Sequence, residues 1–322
     1  MDKKNTMKAV RFHEYGGPEV LRYEDAPIPK IGSGEVLIKV AATAFNPADA
    51  SLRLGAARNI IPLELPFILG FDVSGTIMEV GEDVRQFSVG DKVFGYIDLI
   101  RNGAAAEYVV SRASDLAIAP KSIALQDSAA LTSSGLTAWQ ALFEYGDLKA
   151  GQRVLITAAA GGVGSIAVQL AKWKDAHVIA TASERSFSIL RKLGVDEIID
   201  YKNESLEEKI TEQVDLIFNL SPVDSDVLIS WLQLVKRGGM LVSAVKGAEI
   251  DSNQGEKYGV KIVGFRTKRS AEQLSKLSEV VNQGSLKPFI SERVPLEQLV
   301  SIHEKFGTTN GKILILVDDN MI

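Results

Sequence analysis

The stretch Thr157-Ala158-Ala159-Ala160-Gly161-Gly162-Val163-Gly164 is nearly bare of side chains. It follows RVLI, which reads as a buried strand. It precedes SIAVQLAKW, whose apolar Ile166, Ala167, Leu170 and Ala171 repeat with helical spacing. The first amides of a helix lack internal partners and carry the positive end of its dipole, so a bare turn there suits a phosphate. The full dinucleotide pattern is G-x-G-x-x-G; Gly161 and Gly164 fit it, and Ala159 stands at the first glycine. A tight turn that binds nothing would use the same residues. The candidate phosphate contacts are Ala160, Gly161, Gly162 and Val163.

The next strand candidate, HVIATA, ends in Thr181-Ala182-Ser183-Glu184-Arg185, where an adenosine ribose would lie. NAD sites place a carboxylate there, roughly 20 residues past the glycines, to accept from the 2′-hydroxyl. Ala182 holds that position here and leaves room for a 2′-phosphate. Ser183 and the Arg185 guanidinium would meet it through charge-assisted hydrogen bonds. Glu184 is the competing assignment, a ribose acid placed slightly late, expected instead to face solvent or hold Arg185. Tyr201, closing EIIDY, is a further candidate for the phosphate. NADP is favoured over NAD.

Such turns need alternating strands and helices to position them. From about residue 128 the chain supplies these: SAALTSSGLTAWQALFEYG reads as one helix ending near Gly146. Strand and helix candidates then alternate through RVLI, HVIATA, EIIDY, DLIFNL, MLVSAV and KIVGFR. Parallel strands require crossover helices, and nearly continuous apolar strands are expected when both faces are covered. The fold class is therefore α/β with a doubly wound parallel sheet that binds ligand at its carboxyl ends. Residues 1 to about 127 differ. EVLIKVAATAF, DVSGTIMEVG, DKVFGYI and AEYVVS are short runs broken by Gly, Pro and Asp turns, which points to a barrel or sandwich. Residues 285–317 read as mixed α and β, with a final strand able to return to the first domain.

The 322 residues are 46% apolar and 24% charged, ordinary for a globular chain long enough for two domains. A formal charge of −5 gives no basic field, which argues against nucleic acid as a partner. No apolar run approaches the ~20 residues that span a bilayer. The opening MDKKNTMKAVRFHEYGG has charge but no apolar h-region, so no secretory signal is expected. The chain has no cysteine, which removes disulfides, a thiol nucleophile, thiolate zinc sites and iron–sulfur clusters. His13, His177 and His303 are scattered and read as surface or satisfied histidines, so no metal is expected. A reducing, cytoplasmic setting is the simplest reading.

Seven motifs run in order: MKAVRFHEYGGPEVLRYED, GEVLIKVAATAFNPADASLRLG, ILGFDVSGTIMEVGEDVRQFSVGDKVFG, GAAAEYVV, AALTSSGLTAWQAL, AAAGGVGSIAVQLAK and NGKILILV. Together they resemble the zinc-free quinone oxidoreductase branch of the medium-chain dehydrogenase/reductase superfamily, over nearly the whole chain. The resemblance implies a GroES-like β-barrel catalytic domain built from both chain ends, with a Rossmann domain inserted. With the change of texture, the boundaries expected are 1–127 completed by 268–322, and 128–267 for NADP. The resemblance also implies a cytoplasmic NADPH-dependent reductase, commonly homodimeric. Zinc relatives place Cys or His where this chain has AFNPAD, and Gly-His-Glu where it has Gly70-Phe71-Asp72. Quinone reductases of the branch often carry a tyrosine shortly after the Asn; this chain has Ser51 in NPADASLR.

Without a metal to stabilise an alkoxide, alcohol oxidation loses its main charge stabilisation. Quinones and conjugated enones need less, because hydride addition spreads negative charge to a remote oxygen that hydrogen-bond donors can serve. Asn46 is the first candidate donor, beside the nicotinamide or the acceptor; an Asx-turn before Pro47 is its other use. Arg53 would attract an acceptor oxygen or serve the surface. Asp72 would order the site or close a turn. Tyr96 would stack on a planar acceptor, donate a proton, or pack an interface. Thr132 and Thr137 are assigned to the nicotinamide ribose or carboxamide. Asn219, Ala244, Val245 and Phe265, in or just after later strand candidates, and Lys312 of NGKILILV complete the cofactor set. The expected activity is metal-free hydride transfer from NADPH to a small quinone or α,β-unsaturated carbonyl. An enoyl-thioester reductase, or an NADPH-binding protein with little turnover, is the alternative.

Overall fold

The computed structural model describes residues 5–56, 58–60, 62–245, 252–305 and 310–317. The strands of the amino-terminal part are β1 (Thr6–Phe12), β2 (Leu21–Pro27), β3 (Glu35–Ala44), β4 (Phe67–Ile68), β5 (Asp72–Val80), β6 (Lys92–Tyr96), β7 (Tyr108–Arg112) and β8 (Leu116–Ile118). Next come β9 (Arg153–Ile156), β10 (His177–Ala182), β11 (Glu197–Asp200), β12 (Val214–Asn219), β13 (Val235–Ser243) and β14 (Lys261–Gly264). The last two are β15 (Ile290–Pro295) and β16 (Lys312–Leu316). The chain forms two compact units. One comprises Met1–Ser133, Arg269–Gly284 and Ile290–Ile322; the other comprises Ser134–Lys268 and Ser285–Phe289.

The first unit is built on β3, whose sequence EVLIKVAATA is buried along its length except for half-buried Glu35 and Lys39. A strand this apolar must be covered on both faces and paired on both edges. Strands run in the order β15-β16-β3-β5-β6-β8, with β7 also on β3, beside a smaller sheet β2-β1-β4. All pairs are antiparallel except β15–β16. Phe12, Phe67, Leu69, Ile302, Ile313 and Ile315 share one core cluster, so both chain ends contribute to it. Two registers matter for the site. Leu314 lies opposite Ala44, and Asp72 lies opposite Tyr96.

The second unit holds one sheet of parallel strands in the order β11-β10-β9-β12-β13-β14. Numbered within the unit this is 3-2-1-4-5-6, the Rossmann order, in which two mononucleotide-binding halves meet between β9 and β12. The helix Gly162–Trp173 follows β9 and buries Ile166, Ala167, Leu170 and Ala171, the face set by its periodicity. The single helix expected over 128–146 is instead three windings: a 3-10 stretch Gln126–Leu131, an α-helix Thr132–Trp139 and a π-helical turn Gln140–Tyr145. Among the described residues no helix is long and apolar enough to cross a membrane.

Candidate functional site

In the first unit, the end of β3, the start of β5 and the start of β16 bring three polar side chains together. Lys312 Nζ donates to Asn46 Oδ1 at 2.7 Å and to Asp72 Oδ2 at 3.2 Å. Asn46 Nδ2 donates to the same Asp72 oxygen at 2.8 Å and to the Ala44 carbonyl at 3.1 Å. The second Asp72 oxygen accepts from the Thr132 hydroxyl and, at 2.9 Å, from the Ser133 amide. Asp72 and Thr132 are fully buried, and Asn46, Ser133 and Lys312 nearly so. A carboxylate this deep is tolerable only because a cation and several donors converge on it. Both Asn46 amide hydrogens are therefore committed within the protein. The side chain expected to donate to a ligand is an internal tie.

Asp49 holds this cluster in place. Asn46 stands at the N-terminus of the helix Pro47–Arg53, and its N–H donates to Asp49 Oδ2 at 2.9 Å, half of a capping box. The other oxygen, Oδ1, accepts from the Gly70 amide at 3.0 Å. One carboxylate thus ties the helix below Asn46 to the residue that leads into Phe71 and Asp72. Gly70 has φ +91°, and a Cβ there would lie 2.8 Å from Thr43 Oγ1, so only glycine fits. Burial pushes Asp49 up to about 7, with the Asp72 charge adding to the rise.

Tyr96, across from Asp72, packs edge-on against Phe71 with ring centroids 5.6 Å apart. Burial, and next the Asp72 charge, push its phenol up to about 12, so it stays a hydrogen-bond donor at neutral pH. Arg53 is buried, which rules out the surface role, and its Nη1 donates to the Gly16 carbonyl at 2.9 Å. It holds that loop and makes no hydrogen bond to the Asp72 cluster. His303 corrects the reading of the histidines. It is buried against Phe45, and among the described residues neither ring nitrogen has a hydrogen-bond partner. Burial, and then the Arg53 charge, lower it to about 3. His13 and His177 are half-exposed or more and pair with Glu24 and Glu197.

In the second unit, Ala160 to Val163 form the turn into the helix Gly162–Trp173, whose N-terminal residue Gly161 supplies no side-chain cap. The Gly161 amide donates to the Ala158 carbonyl at 3.0 Å, and the first helical amides, Gly162 and Val163, have no intrahelical acceptor. Gly164 serves the fold instead: a Cβ there would lie 2.6 Å from both the Ala158 carbonyl oxygen and Ala159 Cα. At the end of β10, Ala182 is buried, Ser183 nearly so, and Glu184 and Arg185 are exposed. Among the described residues Arg185 has no hydrogen bond or ion pair. Tyr201 is 57% exposed just past β11. First-turn amides without an intrahelical acceptor suit the phosphates of a dinucleotide.

Asn219 knits the carboxyl ends of three strands. It accepts from Thr157 Oγ1 at 2.9 Å and donates to Ser243 Oγ at 3.2 Å. Its carbonyl receives the Ala244 amide at 3.2 Å, and Val245 N and Phe265 N bond to Ser243. Thr137 meets Thr267, hydroxyl to hydroxyl, at 2.6 Å. Sequence reasoning missed Asp49 and Ser133. The N-x-x-D spacing after Asn46 signals the first; no local pattern signals the second.

A parallel sheet of this order with a bare first turn defines a dinucleotide-binding protein, and the cluster in the other unit gives it a polar site. Residues 32–121 match the alcohol dehydrogenase GroES-like domain, and residues 193–315 match the zinc-binding dehydrogenase domain. The chloroplastic quinone-oxidoreductase QR1 of Triphysaria versicolor is 34% identical over 96% of this chain and 98% of its own. The 2-methylene-furan-3-one reductase of Solanum lycopersicum is 31% identical over 96% of this chain and 79% of its own. The solved quinone oxidoreductase from Coxiella burnetii superposes with a TM-score of 0.87 at 33% identity, over 97% of this chain and all of that one. The chain belongs to the quinone oxidoreductase branch of the medium-chain dehydrogenase/reductase superfamily, which is nicotinamide-dinucleotide dependent.

Proposed function

We propose that this protein is a cytoplasmic, homodimeric NADPH-dependent reductase that delivers hydride to a small quinone or α,β-unsaturated carbonyl without a metal. Residues 128–267 would hold the cofactor, and residues 1–127 with 268–322 the acceptor. The observation that carries the reading is the chemistry gathered around Asp72: a charge-balanced buried Lys312–Asp72 pair and, across the strand register, the protonated Tyr96 phenol as donor. That donor suits a negative charge spread over a conjugated acceptor. When bound, the nicotinamide supplies the hydride.

Each residue then has a task. Ala160, Gly161, Gly162 and Val163 receive the pyrophosphate, and Ser183, Arg185 and Tyr201 the 2′-phosphate. Asn219, Ala244, Val245, Phe265 and Thr137 line the nicotinamide half. Asn46, Thr132 and the Lys312 ammonium, whose charge Asp72 balances, hold the floor of the acceptor site in place. Tyr96 donates to the acceptor oxygen and remains a donor up to high pH. The similarity to a furanone reductase and to a quinone oxidoreductase supports acceptors of both kinds.

The test is NADPH consumption with a panel containing a naphthoquinone, an alkenal, an enoyl thioester and a simple alcohol–ketone pair, before and after exhaustive chelation. Turnover of the quinone or alkenal, unchanged by chelation, is expected. A chelator-sensitive rate restored by zinc would overturn the metal-free assignment. Turnover of the thioester alone would make the protein an enoyl-thioester reductase.

A further inference from the structure

The π-helical turn Gln140–Tyr145 grips one short segment of chain at several points. Gln140 Nε2 donates to the Lys268 carbonyl at 2.8 Å, and its Oε1 accepts from the Lys268 amide at 3.0 Å. This two-way amide pairing fixes one peptide position in both directions, as a neighbouring strand would. One turn earlier, Thr137 bonds to Thr267 at 2.6 Å. One turn later, the Tyr145 ring lies 4.8 Å from the Phe265 ring, and the Lys268 ammonium sits 5.4 Å from the Tyr145 centroid. An α-helix advances about 100° per residue, which would set Tyr145 about 140° round from Gln140. The wider turn brings residues five apart toward one side, so both can face the same segment. Helices rarely adopt this winding, and where they do it is frequently at a functional site.

The gripped segment, Phe265–Lys268, begins directly after β14, at the carboxyl edge of the sheet's second half. In this strand order the glycine turn after β9 takes the pyrophosphate and the end of β10 the adenosine side. The half formed by β12–β14 is left for the other mononucleotide. We propose that Gln140 is a positioning residue for the nicotinamide half of the cofactor, acting through the backbone of Phe265–Lys268. The proposal rests on the reading of this unit as an NADPH-binding domain. Gln140 is itself almost wholly buried and acts through that backbone, so it is not a catalytic residue.

The test compares Gln140→Leu, which keeps volume and removes both hydrogen bonds, with wild type. Titration with NADPH and with 2′,5′-ADP separates the two halves of the cofactor, and steady-state kinetics gives kcat. We expect NADPH to bind Gln140→Leu at least tenfold more weakly and kcat to fall, with 2′,5′-ADP affinity changed by less than twofold. Gln140→Glu, which can still accept from the Lys268 amide, should fall between the two. Unchanged NADPH affinity and kcat would overturn the proposal, as would equal weakening of both ligands, the mark of general loosening. If Gln140→Leu does not fold, Thr267→Val decides: a selective loss of NADPH affinity supports the proposal and normal affinity overturns it. Wild-type protein that binds neither ligand would instead sink the cofactor reading on which the proposal stands.

Discussion

Lys312 donates to Asn46 across 266 residues of chain, and the same ammonium neutralises the fully buried Asp72. Removing one member of a buried pair leaves an uncompensated charge, which costs about 3–5 kcal/mol. Lys312→Met should therefore lower stability by about that amount. Lys312→Met combined with Asp72→Asn should cost clearly less than the sum of the single changes, because no charge is stranded. Urea unfolding of the four proteins measures the coupling. Additive losses would show that the ammonium and the carboxylate act independently.

Arg185 should discriminate between cofactors. Arg185→Ala is expected to weaken NADPH by about 1.5–3 kcal/mol, the scale of a charged hydrogen bond, and barely to affect NADH. Isothermal titration with both cofactors tests this. Equal losses would remove Arg185 from the 2′-phosphate.

Asp49 should make stability depend on pH. Its folded value of about 7 lies above the unfolded one of 3.8, so folding takes up a proton between them. Its contribution is complete below the unfolded value and drains as pH rises through 7, by a few kcal/mol in all. Asn mimics the protonated carboxyl. Relative to Asp49→Asn, wild type should thus lose melting temperature from pH 4.5 to pH 8. Two parallel profiles would mean that the carboxylate titrates normally.

His303 has the opposite sign. Its folded value of about 3 lies below the ordinary 6.5, so the unfolded chain binds the extra proton. Stability from this residue is whole above 6.5 and drains as pH falls toward 3. His303→Leu should therefore gain on wild type between pH 7 and pH 4.5 in chemical unfolding. Since Asp49 and His303 pull in opposite directions between about pH 4 and 6.5, the wild-type profile there should be flatter than either variant's. A wild-type slope steeper than both would contradict the pairing of signs.

Two neighbouring glycines should fail differently. Gly164→Ala drives a Cβ into the backbone of Ala158 and Ala159, and should cost about 1–3 kcal/mol of stability. Gly162→Val should leave the apoprotein folded and weaken NADPH and NADH alike, roughly tenfold for each ~1.4 kcal/mol lost. Melting curves and titrations of both variants separate the cases. Normal cofactor binding by Gly162→Val would reduce the bare turn to a connector.

How much of this was legible depended on range. The strand, bare turn and helix around Gly161 are a local pattern, and β9, β10 and the apolar face of Gly162–Trp173 follow the reading closely. Lys312 is legible as a candidate, but nothing near it in sequence announces its contacts to Asp72 and Asn46. The burial of His303 is equally hidden in the sequence, because it packs against Phe45, far away in the chain. The three windings of 126–145 leave no local mark in the sequence. The π-helical turn meets Lys268 and Phe265, more than a hundred residues later. Asp49 was legible and overlooked.

The pairing of β16 with β3 also sets a timetable. A ribosome makes β3 long before β16, so through most of translation the growing chain carries an unpaired apolar end of β3, residues 42–44, and an Asp72 without its ammonium. The Lys312–Asn46–Asp72 cluster therefore comes into being only when residues 312–316 emerge. Nascent chains stalled short of them would have the parallel sheet complete but Asp72 unpaired, and would offer that short edge to chaperones or to one another.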